Sequence, residues 1–322
     1  MLIVTNRNLK PTARKAERMF GAGFNEKGPD ELRLAEAKKS RGKWQVQILD
    51  DRVKRGTKRM WASEGAFLDL QERMGKKARP CLFFVHGFNN DFADVLERGR
   101  LLERNYGVEV VAFTWPANGR ESSRAGGLIS YKSDKRDALR SIAALDRTFE
   151  KLGGYFAKYT ESTLRCNQRI TLMMHSMGNY LFKHLMRSSV YQGETALFDN
   201  VVLAAADVNN QDHAVWLDRV AYRRRLYVTI NEDDKALRVS RMKIGSAQKA
   251  RLGHYTQNLH SNNALYLDFS SARDVDSSHS YFEGAVIREN KNVRRVFRDM
   301  THGLKAEHRL NYNAHSRTYL VP

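Results

Sequence analysis

A serine, a histidine and several aspartates are spaced along this chain as acyl-transfer chemistry requires. Ser176 sits in Met174-His175-Ser176-Met177-Gly178, directly after the apolar run 170–174. An amphipathic stretch, 180–187, follows, with Leu181, Leu185 and Met186 at helical spacing. A buried strand, a sharp turn and a helix in that order hold a serine hydroxyl clear of a sheet, as in a nucleophile elbow. The usual pattern is Gly-x-Ser-x-Gly; here Met174 stands at the first glycine and Gly178 keeps the second. The same turn also suits a plain serine cap on a crossover helix. The serine alone therefore decides little.

A hydroxyl becomes a nucleophile beside a base, and the tetrahedral intermediate needs donors already fixed in place. His86-Gly87-Phe88-Asn89-Asn90 follows the apolar run 81–85, at the place of an oxyanion loop. The two amide donors expected are those of Phe88 and Met177. Downstream, Asn231-Glu232-Asp233-Asp234 follows the run 226–230, and His279 follows the run 264–269. Serine, acid and histidine thus come in the expected order. His279 is the expected base and Asp234 the acid that orients it. Asp234 lies far enough beyond its strand to turn back, and it also heads a helical segment that it could cap. Asp233 and Asp207, the latter just after the run 201–205, are the alternatives. Trp115, Phe88 and the segment 117–131, which ends at Tyr131, are expected to line or cover an acyl pocket. His86 is expected to order the oxyanion loop, and His175 to pack in the serine turn beside the substrate. No phosphate-loop motif, His-x-x-x-His or paired-cysteine spacing occurs, so neither metal nor cofactor is expected.

These residues need a scaffold, and the hydrophobic pattern supplies one. Six short apolar runs (81–85, 108–113, 170–174, 201–205, 226–230 and 264–269) alternate with helical or loop segments. That alternation predicts an α/β fold: a mostly parallel, doubly wound sheet with helices on both faces. Ligands bind such sheets at the carboxyl ends of the strands, where every candidate above lies. Ala138, Ile142, Leu145, Phe149 and Leu152 predict one helix within 134–152. Residues 2–5 predict a short strand, 44–48 an antiparallel edge strand, and 63–74 a short amphipathic helix. One domain spanning 1–322 is expected, with its core at about 80–285, N-terminal strands and basic segments over 1–79, and a basic helical tail over 286–322.

The chain has 55 Lys and Arg against 36 Asp and Glu, a net charge of +19. Such an excess predicts attraction to polyanions, whether nucleic acid, an anionic membrane or an acidic partner. The densest clusters lie at 38–59, 76–79, 223–225 and 294–298, mostly outside the loops that carry the chemistry. Two cysteines, Cys81 and Cys166, exclude a disulfide framework. No secretory signal or bilayer-length apolar run is seen, and a reducing cytoplasm is the expected compartment.

Seven stretches together resemble one family. They are Phe84–Asn89, Thr114–Gly119, Tyr131 with Asp134, Met174–Asn179, Ala204–Asp207, Asp234–Leu237 and His279–Tyr281. In their order they are similar to the DUF900 group of α/β-hydrolases, bacterial serine-hydrolase-like proteins. The likeness covers roughly residues 80–285. It implies an α/β-hydrolase fold with Ser176, Asp234 and His279 as the triad, and it supports Asp234 over Asp233. It brings no substrate with it. The expected activity is hydrolysis of carboxylic ester bonds, or of thioester or lipid acyl bonds. Two other readings are a catalytically weak hydrolase fold that binds nucleic acid or another polyanion, and a lipase or phospholipase docking on anionic membrane through its basic face.

Overall fold

Each of the six apolar runs becomes a strand, shielded along nearly its whole length as parallel strands covered on both faces must be. The computed structural model describes residues 1–117, 127–159, 169–242 and 250–322. The chain divides into two units, Met1–Gln168 and Arg169–Pro322.

The first unit contains β1 (Leu2–Thr5), β2 (Arg7–Leu9), β3 (Phe20–Phe24), β4 (Arg33–Ser40), β5 (Lys43–Ile48), β6 (Arg52–Arg55), β7 (Lys58–Trp61), α1 (Ala62–Lys77), β8 (Cys81–Val85), α2 (Phe92–Tyr106), β9 (Glu109–Thr114), α3 (Gly127–Arg140) and α4 (Ile142–Lys158). Its sheet runs β5-β4-β1-β9-β8. β1, β9 and β8 are parallel, whereas β4 and β5 add antiparallel. Two hairpins, β2–β3 and β6–β7, arise from stretches that read only as charged and glycine-bearing. The second is neutralised in part, since Arg52 stacks 3.5 Å over the Trp61 ring and Arg55 pairs with Asp69 and Glu72. Asp91 begins α2 through a reciprocal capping box with Asp94, and Gly107 ends it at φ 67°. The single helix expected over 134–152 is instead α3 and α4, broken at Ser141. That serine donates to the Asp137 carbonyl at 2.8 Å and accepts from Asn6 Nδ2 at 3.1 Å. Serine back-bonding of this kind bends helices.

The second unit contains β10 (Ile170–His175), α5 (Gly178–Arg187), β11 (Asn200–Ala204), α6 (Ala214–Leu217), β12 (Arg225–Ile230), α7 (Lys235–Met242), β13 (Ala264–Asp268), α8 (Gly284–Glu289), α9 (Lys291–Thr301), β14 (Asn311–Asn313) and β15 (Thr318–Leu320). Its sheet runs β10-β11-β12-β13-β15-β14 and is parallel as far as β15. The expected helical tail is α8 and α9 only. The last dozen residues form the β14–β15 hairpin, which extends the sheet. Thr318 and Val321 are buried there, too short a pattern to reveal a strand against the surrounding polar residues. No helix among the described residues is long and apolar enough to cross a membrane.

Candidate active site

Ser176 follows the last residue of β10 and precedes α5 by one residue. Its φ is +54°, in the left-handed region that a side chain adopts only at a cost of about 1–2 kcal/mol. Surrounding bonds hold it there. Ser176 N–H donates to the Ala204 carbonyl at 3.0 Å, and its own carbonyl accepts from Asn179 N–H at 3.0 Å and Asp207 N–H at 3.2 Å. The buried Asn179 amide donates to the carbonyls of Met174, Ser176 and Ala204, tying strand, turn and neighbouring strand together. In the sequence Asn179 is no more than a motif position, and its burial is seen only in the structure. The Met177 N–H, by contrast, has no hydrogen-bond partner among the described residues. An unsatisfied amide at the head of a helix suits an anion.

Asp234 lies after β12, is fully buried, and uses both oxygens. Oδ1 accepts from Leu237 N–H at 2.9 Å, capping α7, and Oδ2 meets His279 Nδ1 at 2.7 Å. The two readings of this aspartate, cap and partner of the histidine, are therefore compatible. A carboxylate can only accept, so His279 carries its proton on Nδ1 and leaves Nε2 as an acceptor. The other two aspartates are engaged elsewhere. Asp233 is exposed and pairs with Arg238 at 3.7 Å. Asp207 is buried, accepts from Ser240 Oγ at 2.6 Å, and pairs with the buried Arg251 at 3.1 Å.

The loop bearing His279 is fastened by Asn231, by Thr229 with Tyr281, and by His175. Asn231 Nδ2 donates to the carbonyls of Asp276 and Ser278 at 2.9 and 3.1 Å. The hydroxyls of Tyr281 and Thr229 lie 2.5 Å apart in the core, and Ala205 N–H donates to the same Thr229 oxygen. His175 Nε2 donates to the His279 carbonyl at 3.2 Å, and the two rings lie 4.8 Å apart. His279 is thus packed against the residue that immediately precedes Ser176. Among the described residues no hydrogen bond joins Ser176 Oγ to His279 Nε2.

The first unit holds the remaining candidates. His86 is fully buried and stacks on the equally buried Trp115 with ring centroids 5.2 Å apart. Its Nδ1 donates to the Gly87 carbonyl, while Nε2 lies 3.0 Å from Thr114 Oγ1 and accepts from Trp115 N–H. Burial first, then the charge of Arg7, holds the imidazole pKa well below its ordinary value, so it is neutral. Trp115 Nε1 donates to the His86 carbonyl. Both residues are thus built into the loops after β8 and β9. The fully buried Arg7 joins these loops by donating to Thr114 Oγ1 and to the carbonyls of Gly21 and Asn90. Its burial lowers the guanidinium pKa to about 10, against the opposing pull of Asp91 and Asp134. A charged residue inside an N-terminal polar stretch gave no sign of this. Phe88 packs edge-on to Tyr131 at 5.6 Å, and Asn89 N–H donates to the buried Asp134 at 3.1 Å. Most of the 117–131 segment expected to cover a pocket lies outside the described residues, as does Cys166.

Among the described residues, no group of three or more His, Cys, Asp or Glu could hold a metal ion. The arrangement in the second unit has the parts of a proton relay: a left-handed serine, an imidazole, and a buried carboxylate bonded to its Nδ1. Nothing among curated proteins or solved structures matches the chain. Residues 64–282 do match the model of one family, described as an alpha/beta hydrolase of unknown function (DUF900). This is more than half of the sequence, so the chain belongs to that family and is a hydrolase of the α/β-hydrolase fold.

Proposed function

We propose that this hydrolase cleaves carboxylic esters through an acyl-enzyme on Ser176, with His279 as general base and acid and Asp234 as its orienting carboxylate. The observation that carries this reading is the 2.7 Å contact between His279 Nδ1 and the fully buried Asp234. It fixes the tautomer that leaves Nε2 able to take a proton. In the first step Ser176 Oγ adds to the acyl carbon as its proton passes to His279 Nε2. The imidazolium then protonates the leaving alkoxide, and the C–O bond breaks. Water, deprotonated by the same nitrogen, releases the acid and restores Ser176. The free Met177 N–H would meet the oxyanion; the Phe88 amide, the second donor expected from sequence, belongs to the first unit. Removing one such donor typically lowers kcat by about 10²–10³.

Thioester and lipid acyl bonds share this chemistry and fall within the proposal. Labelling with a fluorophosphonate probe tests it. Ser176→Ala should abolish labelling and lower ester turnover by about 10³–10⁶. Labelling that persists in the folded variant would overturn the assignment of the nucleophile.

A further inference from the structure

The net charge of +19 is unevenly neutralised within the fold, and the surface of α8 and α9 is among the parts left without counter-charges. Several basic clusters seen in the sequence find carboxylates or carbonyls within the fold. Lys77 and Arg73 surround the buried Glu109. Arg224 pairs with Asp199, Arg225 pairs with Glu307, and Arg223 donates to the Ala196 carbonyl. The surface of α8 and α9 behaves differently. Arg288, Lys291, Arg294, Arg295 and Arg298 fall within eleven residues that contain a single acid, Glu289. None of the five side chains has an ion pair or hydrogen bond to a described residue. Four are exposed and Arg295 is half-buried. Arg295 and Arg298 gather with His308 and Arg309 around Asp299, whose carboxyl is nonetheless pushed up by burial.

We infer that the basic face of α8–α9 is a docking surface for the phosphate backbone of double-stranded nucleic acid, without base readout. Four observations choose this partner. Lys291, Arg294 and Arg298 fall on one helix over about 10 Å of axis, at about 1.5 Å per residue. A duplex carries about one charge per 1.7 Å, or about six over that length, so there are phosphates enough to meet each of these cations. The cations are mainly arginines, whose planar fork suits phosphate oxygens. A helix that lies in a membrane surface buries an apolar face in the lipid, but the apolar face of α9 is already in the core. Val293, Val296, Phe297 and Met300 are at most 1% exposed. A single-strand platform would need exposed aromatic rings between the cations, and this span has none.

The test measures binding to a mixed-sequence duplex of about 20 base pairs between about 50 and 200 mM salt. Five neutralised phosphates give a slope of log Kobs against log salt of about −4.5, a loss of about 500-fold over that range. Removing three cations in K291Q/R294Q/R298Q should reduce the slope to about −1.8 and the loss to about 12-fold. The same number of charges removed from the β4–β5 tip, in K38Q/R41Q/K43Q, should leave the slope unchanged. Thermal melting confirms that both variants are folded, and scrambling the duplex sequence should change nothing. The inference falls if the α8–α9 variant keeps the parent slope, or if the tip variant loses as much. It also falls if the protein sediments with vesicles of phosphatidylcholine and phosphatidylserine in equal parts but binds no duplex at the lowest salt.

Discussion

Replacing Asp234 by asparagine changes one atom group in the most constrained part of the site. The carboxylate has no solvent exposure, and its two oxygens serve two donors, Leu237 N–H at 2.9 Å and His279 Nδ1 at 2.7 Å. An amide brings only one acceptor oxygen to that pair. The Leu237 N–H is fixed by the start of α7, so the amide oxygen should turn there and the NH2 should face the imidazole. His279 then holds its proton on Nε2 and cannot accept one from Ser176. A tautomer error of this kind lowers kcat by about 10⁴, or about 5.4 kcal/mol of activation free energy. The fold should lose about 1.5–3 kcal/mol with the charged hydrogen bond, which leaves a measurable native population. Asp233→Asn is the matched control. Its partner is an exposed arginine at 3.7 Å, worth at most about 1 kcal/mol, so both rate and stability should hold. Asp207→Asn should fail differently. It removes the charge that pairs with the buried Arg251, which costs about 3–5 kcal/mol of stability. Initial rates with p-nitrophenyl acetate, paired with urea unfolding of each variant, separate the three outcomes. Folded Asp234→Asn within tenfold of the parent rate would refute the reasoning, and so would an equal loss in Asp233→Asn.

Two further outcomes follow from the same packing. A Cβ on Gly253 would lie 2.2 Å from Ala206 N and 2.6 Å from the Ala205 carbonyl carbon, backbone atoms between Ala204 and Asp207, which both bond to the Ser176 backbone. Gly253→Ala should therefore destabilise by about 1–3 kcal/mol and reduce ester turnover, and a urea midpoint unchanged from the parent would contradict this. His86 is neutral and buried, with a folded pKa below the unfolded value of about 6.5. The unfolded chain binds more protons in that window, so its stabilising share is full above pH ~6.5 and is lost as pH falls toward the folded pKa. The slope reaches about 1.4 kcal/mol per pH unit. His86→Gln should flatten the acid limb of unfolding free energy against pH by that amount; identical limbs would exclude His86 as its source.

The identity of the strands and the order of the chemical groups were legible in the sequence because both are local properties. A strand covered on both faces must be apolar throughout, so runs such as 81–85 and 226–230 announced themselves. Ser176, Asp234 and His279 stood out by their order in the loops that follow such runs, loops being where functional residues concentrate. Polar strands and the break at Ser141 were hidden, since hairpins such as β6–β7 and β14–β15 are held by cross-strand pairs rather than by their own periodicity. Only the tertiary structure shows how differently the three aspartates are surrounded. Asp207, Asp233 and Asp234 all follow core strands at the same rim, and their fates diverged through contacts distant in sequence: Arg251 for the first, His279 for the last. The same holds for Asn179, Asn231 and Arg7, polar residues whose burial makes them clamps. Burial of a polar group depends on what the rest of the chain packs around it, and no property of the residue or its neighbours in sequence encodes that.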